Sequence, residues 1–128
     1  MLLQLEAPIE HVISAVELGN KYGVTIILDP TPAQKLPENI YSQIDYLLPN
    51  EGEMKKYLED YYLPTTESKI EKLLGFGLKN LLITLGENDC RLLNKDFAGK
   101  KVKRLIQRRR RYIFRSICLW ITIEYECR

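Results

Sequence analysis

The chain holds 128 residues, 45% hydrophobic and 28% charged, with 7 Gly and 6 Pro. These values exclude collagen-like, low-complexity and disordered classes and allow one hydrophobic core rather than two domains. The net charge of +2 joins two unlike parts: residues 100–128 carry ten Lys/Arg against two acids, a balance of +8, whereas residues 1–99 carry nine against fifteen, a balance of −6. Cys90, Cys118 and Cys127 form no CxxC pair, so neither a disulfide framework nor a zinc site is expected, and a reducing cytoplasm is the default. No apolar run approaches the roughly 18 residues of a membrane span. The short apolar start at residues 1–6 lacks the basic lead of a signal peptide.

Residues 2–5 form a short apolar run that ends at Glu6. Pro8 suits a helix start, because its missing N–H has no intrahelical partner there in any case. Ile9, Val12, Ile13 and Val16 then recur at helical spacing, and Gly23 stops the helix. Residues 24–28 are a continuous β-branched and apolar run, expected as a strand buried on both faces. Asp29-Pro30-Thr31-Pro32 breaks both regular structures and reads as a loop. Residues 46–48 form another short strand, closed by Pro49. Asn50 opens a helix carrying Met54, Tyr57, Leu58 and Tyr61. Thr65 or Thr66 opens the next, with Ile70, Leu73 and Leu74 inward and Gly75 at its end. Residues 80–85 are a further buried strand ended by Gly86, and residues 91–93 add one more. The alternation predicts an α/β fold, a parallel sheet with helices on both faces.

In such sheets ligands bind beyond the carboxyl ends of the strands. Glu6, Asp29, Asn50 with Glu53, and Thr84 with Gly86 each follow an apolar run at that end, so they are expected along one rim. Two roles compete for Asn50-Glu51-Gly52-Glu53. As a capping box, Asn and Glu satisfy each other's backbone N–H groups. As a ligand site, the helix N-terminus meets phosphate and Glu53 helps hold hydrated Mg²⁺. The turn Thr84-Leu85-Gly86-Glu87-Asn88-Asp89 is either a plain hairpin or a place where backbone approaches a ligand closely. Glu6 either favours a helix dipole or accepts from sugar hydroxyls. His11 reads as a packing or surface residue. Tyr57, Tyr61 and Tyr62 read as helix packing rather than a stacking platform.

Four segments, Leu3-Gln4-Leu5-Glu6-Ala7-Pro8, Leu28-Asp29-Pro30-Thr31-Pro32-Ala33, Leu48-Pro49-Asn50-Glu51-Gly52-Glu53 and Ile83-Thr84-Leu85-Gly86-Glu87-Asn88, resemble in order and spacing those of ribokinases in the PfkB carbohydrate kinase family. The resemblance covers about residues 1–99. It implies a ribokinase-like three-layer sandwich, present in part, and ATP-dependent phosphorylation of ribose or a related sugar. It also implies ATP and Mg²⁺ as cofactors, with a monovalent cation in intact relatives. Glu6 then contacts the sugar, Asn50 and Glu53 serve the ATP phosphates and Mg²⁺, and Thr84, Leu85, Gly86, Glu87, Asn88 and Asp89 line the nucleotide site. Asp29 stands where members often have Asn, and Asp89 where the turn usually has a second Gly. The resemblance further implies that this chain begins in the middle of such a protein, without the substrate-binding glycines and β-lid. The catalytic signature D-T-x-[GA]-A-G-D, whose second Asp is the base, is missing after residue 100, so no catalytic residue is assigned and negligible turnover is expected.

The sequence instead runs Lys100-Lys101-Val102-Lys103-Arg104-Leu105-Ile106-Gln107-Arg108-Arg109-Arg110-Arg111. Three readings apply to residues 100–128. Clustered Arg with Tyr112, Phe114 and Trp120 suits nucleic acid. A solvated tail is the bland alternative. The third is a shifted reading frame. Codons exist for residues 108–118 that, with one base dropped, encode Ala-Ala-Gly-Asp-Thr-Phe-Ser-Gly-Ala-Phe, the missing signature and its following helix. The frame reading is favoured, nucleic acid is not the expected partner, and sheet edges left open invite self-association.

Overall fold

The computed structural model describes residues 1–59, 62–85, 89–94 and 105–106. The elements are β1 (Leu2–Gln4), α1 (Ile9–Lys21), β2 (Ile27–Asp29), α2 (Glu38–Tyr41), β3 (Tyr46–Leu47), α3 (Glu51–Glu59), α4 (Thr66–Gly75), β4 (Asn80–Leu85), β5 (Asp89–Asn94) and β6 (Leu105–Ile106). The fold is α/β. One sheet runs in the order β1-β2-β3-β4-β5-β6, and its first four strands are parallel. β5 turns back antiparallel to β4, with Leu85 opposite Asp89, and β6 is antiparallel to β5. The reversal follows from length: residues 86–88 are too few for a crossover, which takes a dozen or more, and suffice for a hairpin. Residues 105–106, expected in the basic tail, pair with Asp89 and Cys90. Among the described residues no helix is long and apolar enough to cross a membrane.

Local rules account for the helix ends. α1 begins after Pro8, whose carbonyl accepts from His11 and Val12. It ends at Gly23, whose φ of +66° costs a residue without Cβ nothing. Thr65 caps α4, its Oγ1 accepting from the Ser68 N–H at 3.1 Å. α4 ends at Gly75, as expected, and two residues later Gly77 takes the left-handed turn at φ +100° with its N–H on the Leu74 carbonyl. A Cβ there would stand 2.7 Å from Ser42 Cβ, so this position needs glycine for space as well as for backbone.

Alternation along the strands sorts the core. Ile26, Leu28, Leu47, Leu81 and Ile83 face one side, where Val12 and Val16 of α1, Ile40 and Tyr41 of α2, Met54 and Leu58 of α3, and Leu73 and Leu74 of α4 cover them. Ile27, Tyr46, Leu48 and Leu82 face the other side and form a second, smaller cluster with Leu92 against it. Buried Leu and Ile side chains each contribute roughly 1.5–3 kcal/mol.

Two strand predictions shift. The run at residues 24–28 becomes β2 at Ile27–Asp29, and Val24 is exposed. Ile26 precedes the strand: its N–H donates to Asp45 Oδ2 at 2.7 Å, while its carbonyl accepts from the Tyr46 N–H at 3.1 Å. Asp29, expected in a loop, is the last residue of β2, opposite Gln4. The sequence reading assigned nothing to residues 34–44. They contain α2 and four fully buried residues, Leu36, Ile40, Tyr41 and Ile44, and Tyr41 stacks on Phe76 with ring centroids 5.8 Å apart.

Candidate functional site: the carboxyl rim of the parallel strands

The four parallel strands deliver their carboxyl ends to one rim. β1 runs out into the turn holding Leu5 and the exposed Glu6, and the Leu5 N–H donates to the Thr31 carbonyl at 3.0 Å. β2 ends at Asp29. β3 continues through Leu48, whose N–H donates to the Leu28 carbonyl, to Pro49 and Asn50. Asn50 bridges Thr84 in parallel fashion, and the Thr84 N–H donates to the Pro49 carbonyl at 3.0 Å. Glu6, Asp29, Asn50 and Thr84, spread over 79 positions of sequence, therefore share one edge of the sheet. Leu85 is half-buried and packs on the helix-side core. Asp89 is placed only as the first residue of β5. Gly86, Glu87 and Asn88 lie outside the described residues, as do Tyr61 and residues 107–128.

At this rim the capping box is complete. The Glu53 N–H donates to Asn50 Oδ1 and the Asn50 N–H donates to Glu53 Oε2, both at 2.8 Å. This is the reciprocal arrangement in which each side chain satisfies a terminal N–H of the other. Gly52, in the first turn of α3, leaves room beside this cap, since a Cβ there would lie 3.3 Å from Asn50 Oδ1. The cap uses only one oxygen of Glu53. The other, Oε1, lies 2.6 Å from Thr31 Oγ1. The same hydroxyl lies 2.7 Å from Asp29 Oδ1, and Asp29 Oδ2 accepts from Gln4 Nε2 at 3.0 Å. A chain of contacts thus runs Gln4, Asp29, Thr31, Glu53, Asn50 across three strand ends. Asp29, Glu53 and Thr84 are only 3, 8 and 7% exposed.

Chemically this is a set of hard oxygen donors beside a helix N-terminus. The first N–H groups of α3, those of Glu51 and Gly52, have no partner within the helix and face the rim. Two carboxyl groups converge on one hydroxyl that has a single proton to give. That concentrates negative potential, so a bare phosphate is poorly served there and a cation well served. Among the described residues no group of three His, Cys, Asp or Glu gathers into a self-sufficient metal cage.

The sequence reading missed Gln4 and Thr31 as members of this network. Thr31 carries no helical or strand periodicity, and its partner Glu53 is 22 positions away. The one available signal was its place between two prolines directly after a buried strand. Tyr57 is buried and its Oη donates to the Gln34 carbonyl at 2.6 Å, as helix packing requires. Tyr62, by contrast, is fully exposed beyond the end of α3, which stops at Glu59. His11 is exposed on α1.

A model of the pfkB family carbohydrate kinases matches residues 2–107. Ribokinase of Staphylococcus aureus is 36% identical over 99 residues, 75% of this chain and 32% of that protein. Ribokinase of Schizosaccharomyces pombe is 37% identical over 91 residues, 67% of this chain and 29% of that protein. Among solved structures, ribokinase of Thermotoga maritima superposes with a TM-score of 0.68 at 32% identity, covering 86% of this chain and 35% of that one. Arabidopsis thaliana ribokinase, complexed with ribose and ATP, superposes with a TM-score of 0.64 at 27% identity, covering 83% of this chain and 33% of that one. The chain spans about a third of the length of the curated relatives it matches.

Proposed function

Because this chain belongs to the pfkB family of carbohydrate kinases, we propose that its carboxyl rim is the nucleotide and Mg²⁺ side of a ribokinase-like sugar kinase site. The reaction of the complete site is transfer of the ATP γ-phosphoryl group to a hydroxyl of ribose or a related sugar. In this reading Asn50 and the first turn of α3 meet phosphate, Glu53 serves Mg²⁺, and Thr84, Leu85, Gly86, Glu87, Asn88 and Asp89 form a wall of the nucleotide site. Glu6 accepts from the sugar. The location is the cytoplasm, where ATP and reduced thiols are kept.

The observation that carries the reading is the convergence of Asp29 and Glu53 on Thr31 beside the α3 N-terminus. The donor set fits the ion. Mg²⁺ prefers oxygen, keeps much of its water and is bound through one or two carboxylates together with substrate phosphates, so no all-protein cage is needed. Glu53, with Asp29 beside it, would hold the ion, whose chemistry there would be to neutralise phosphate charge. Asn50 and Gly52 bring the helix N–H groups within reach of the same phosphates.

The chain lacks the D-T-x-[GA]-A-G-D signature, and with it a base to take the sugar proton. We assign a shifted reading frame within the basic tail, residues 100–128. This is supported by the family match, which ends at residue 107, next to the point where codons exist for Ala-Ala-Gly-Asp, the end of the signature, in another frame. The chain therefore binds Mg·ATP without turning sugar over. Among the described residues β1 ends the sheet, and we propose self-association of this chain along it. The test is titration of the purified chain with ATP in Mg²⁺ and in EDTA, beside an assay for ribose phosphorylation. Mg²⁺-dependent binding that Glu53→Ala weakens, with no turnover, is the expected result. Binding indifferent to Mg²⁺ and to Glu53→Ala, or clear turnover, overturns the reading.

A further inference from the structure

We propose that Thr31 is a positioning residue, whose hydroxyl aims the Glu53 carboxyl group at the divalent cation. The inference rests on the reading of Glu53 given above and adds the means by which that side chain is held. A Glu side chain has three rotatable bonds, and a cap bond through Oε2 alone leaves the carboxyl plane free to swing about that contact. The contact of Oε1 with Thr31 Oγ1 at 2.6 Å supplies a second point, and two points define the plane. Thr31 is itself held. Its carbonyl accepts from the buried Leu5 N–H at 3.0 Å, and Pro30 and Pro32 on either side restrict the backbone. The same residue thus touches the turn that carries Glu6 and the cap that carries Glu53, so it ties the sugar side of the rim to the phosphate side. Asp29 Oδ1, 2.7 Å from the same hydroxyl, competes with Glu53 for its one proton, so the hydroxyl has acceptors on both sides within the rim.

Groups that orient a metal-binding side chain typically change metal affinity by about 10- to 100-fold when removed. Thr31→Val keeps the shape of the side chain and removes the hydroxyl, whereas Thr31→Ser keeps the hydroxyl. The experiment titrates ATP with Mg²⁺ into the full chain and into Thr31→Val, Thr31→Ser and Glu53→Gln. It also follows the Glu53 side-chain carboxyl ¹³C resonance in the absence of nucleotide. Thr31→Val is expected to weaken Mg²⁺-dependent ATP binding by about tenfold, at the low end of that range. Its Glu53 resonance shifts, and Thr31→Ser restores both. If Glu53→Gln weakens binding while Thr31→Val matches the unaltered chain, positioning by Thr31 is overturned and the Mg²⁺ reading stands. If Glu53→Gln binds as the unaltered chain does, the Mg²⁺ reading fails and the role of Thr31 fails with it. If Thr31→Ser loses as much as Thr31→Val, the hydroxyl is not the cause and the proposal falls. Should Thr31→Val not fold, Thr31→Ala removes the hydroxyl without the extra methyl group and is read in the same way.

Discussion

The sheet has two rims, and each gathers buried polar groups for a different end. At the amino rim Asp45 is the hub. Its Oδ2 accepts the Ile26 N–H at 2.7 Å, its Oδ1 meets Lys79 Nζ at 2.6 Å, and its carbonyl accepts from Asn80 Nδ2 at 3.1 Å. Asn94 Nδ2 extends the row to Asn80 Oδ1 at 3.4 Å. There a carboxylate meets a cation and amide donors, and the network closes the ends of β2, β3, β4 and β5. At the carboxyl rim two carboxyl groups share the donors of Thr31, Gln4 and the Asn50 backbone. The first network stabilises the fold. The second sets two carboxyl groups close together, a mutual repulsion that the α3 N-terminus offsets only in part and that a bound Mg²⁺ would relieve.

Separating the two rims experimentally starts with Asp45→Ala. It leaves the N–H of a fully buried residue without its acceptor and is expected to cost about 1–3 kcal/mol in denaturant unfolding. Mg²⁺-dependent ATP affinity of the folded fraction should stay unchanged, and a loss of affinity at equal folding would erase the distinction between the rims. Asn50→Ala at the other rim removes one half of the capping box and is expected to cost about 1 kcal/mol in stability. It differs from Asp45→Ala by also weakening Mg·ATP binding, measured in the same titration. Lys79→Ala is the mildest. Lys79 is 58% exposed, so its bridge to Asp45 is worth less than about 1 kcal/mol and should fade further in added salt. A larger, salt-insensitive loss would mean that the ion pair, rather than the backbone bond to Ile26, is the centre of the amino-rim network.

Much of this was legible in the residue order. Apolar runs, helix spacing and caps at Pro8, Asn50 and Thr65 are local signals, and local rules read them. The placement of Glu6, Asn50 and Thr84 on one edge followed from the parallel alternation alone, since every parallel strand ends on the same side. What escaped had no local signature. Leu36, Ile40, Tyr41 and Ile44 are buried around a helix of only four residues, too short to show a period. The need for glycine at Gly77, just beyond α4, comes from Ser42, 35 positions earlier, which leaves no room for a Cβ there. The turn back of β5 was one of two readings open for residues 84–89, and the antiparallel pairing of β4 with β5 is what distinguishes them.

The residue order by itself determined the α/β class, the parallel run of the first four strands, the family and the candidate rim, because these rest on periodicity, short motifs and the fixed direction of the chain. The tertiary structure alone decided that Glu53 both closes the cap and reaches Thr31, and that Asp29 meets it there. The contact of Thr31 with Glu53 spans 22 positions, and only the packing of the helices against the sheet determines which of many polar side chains arrive at the same point.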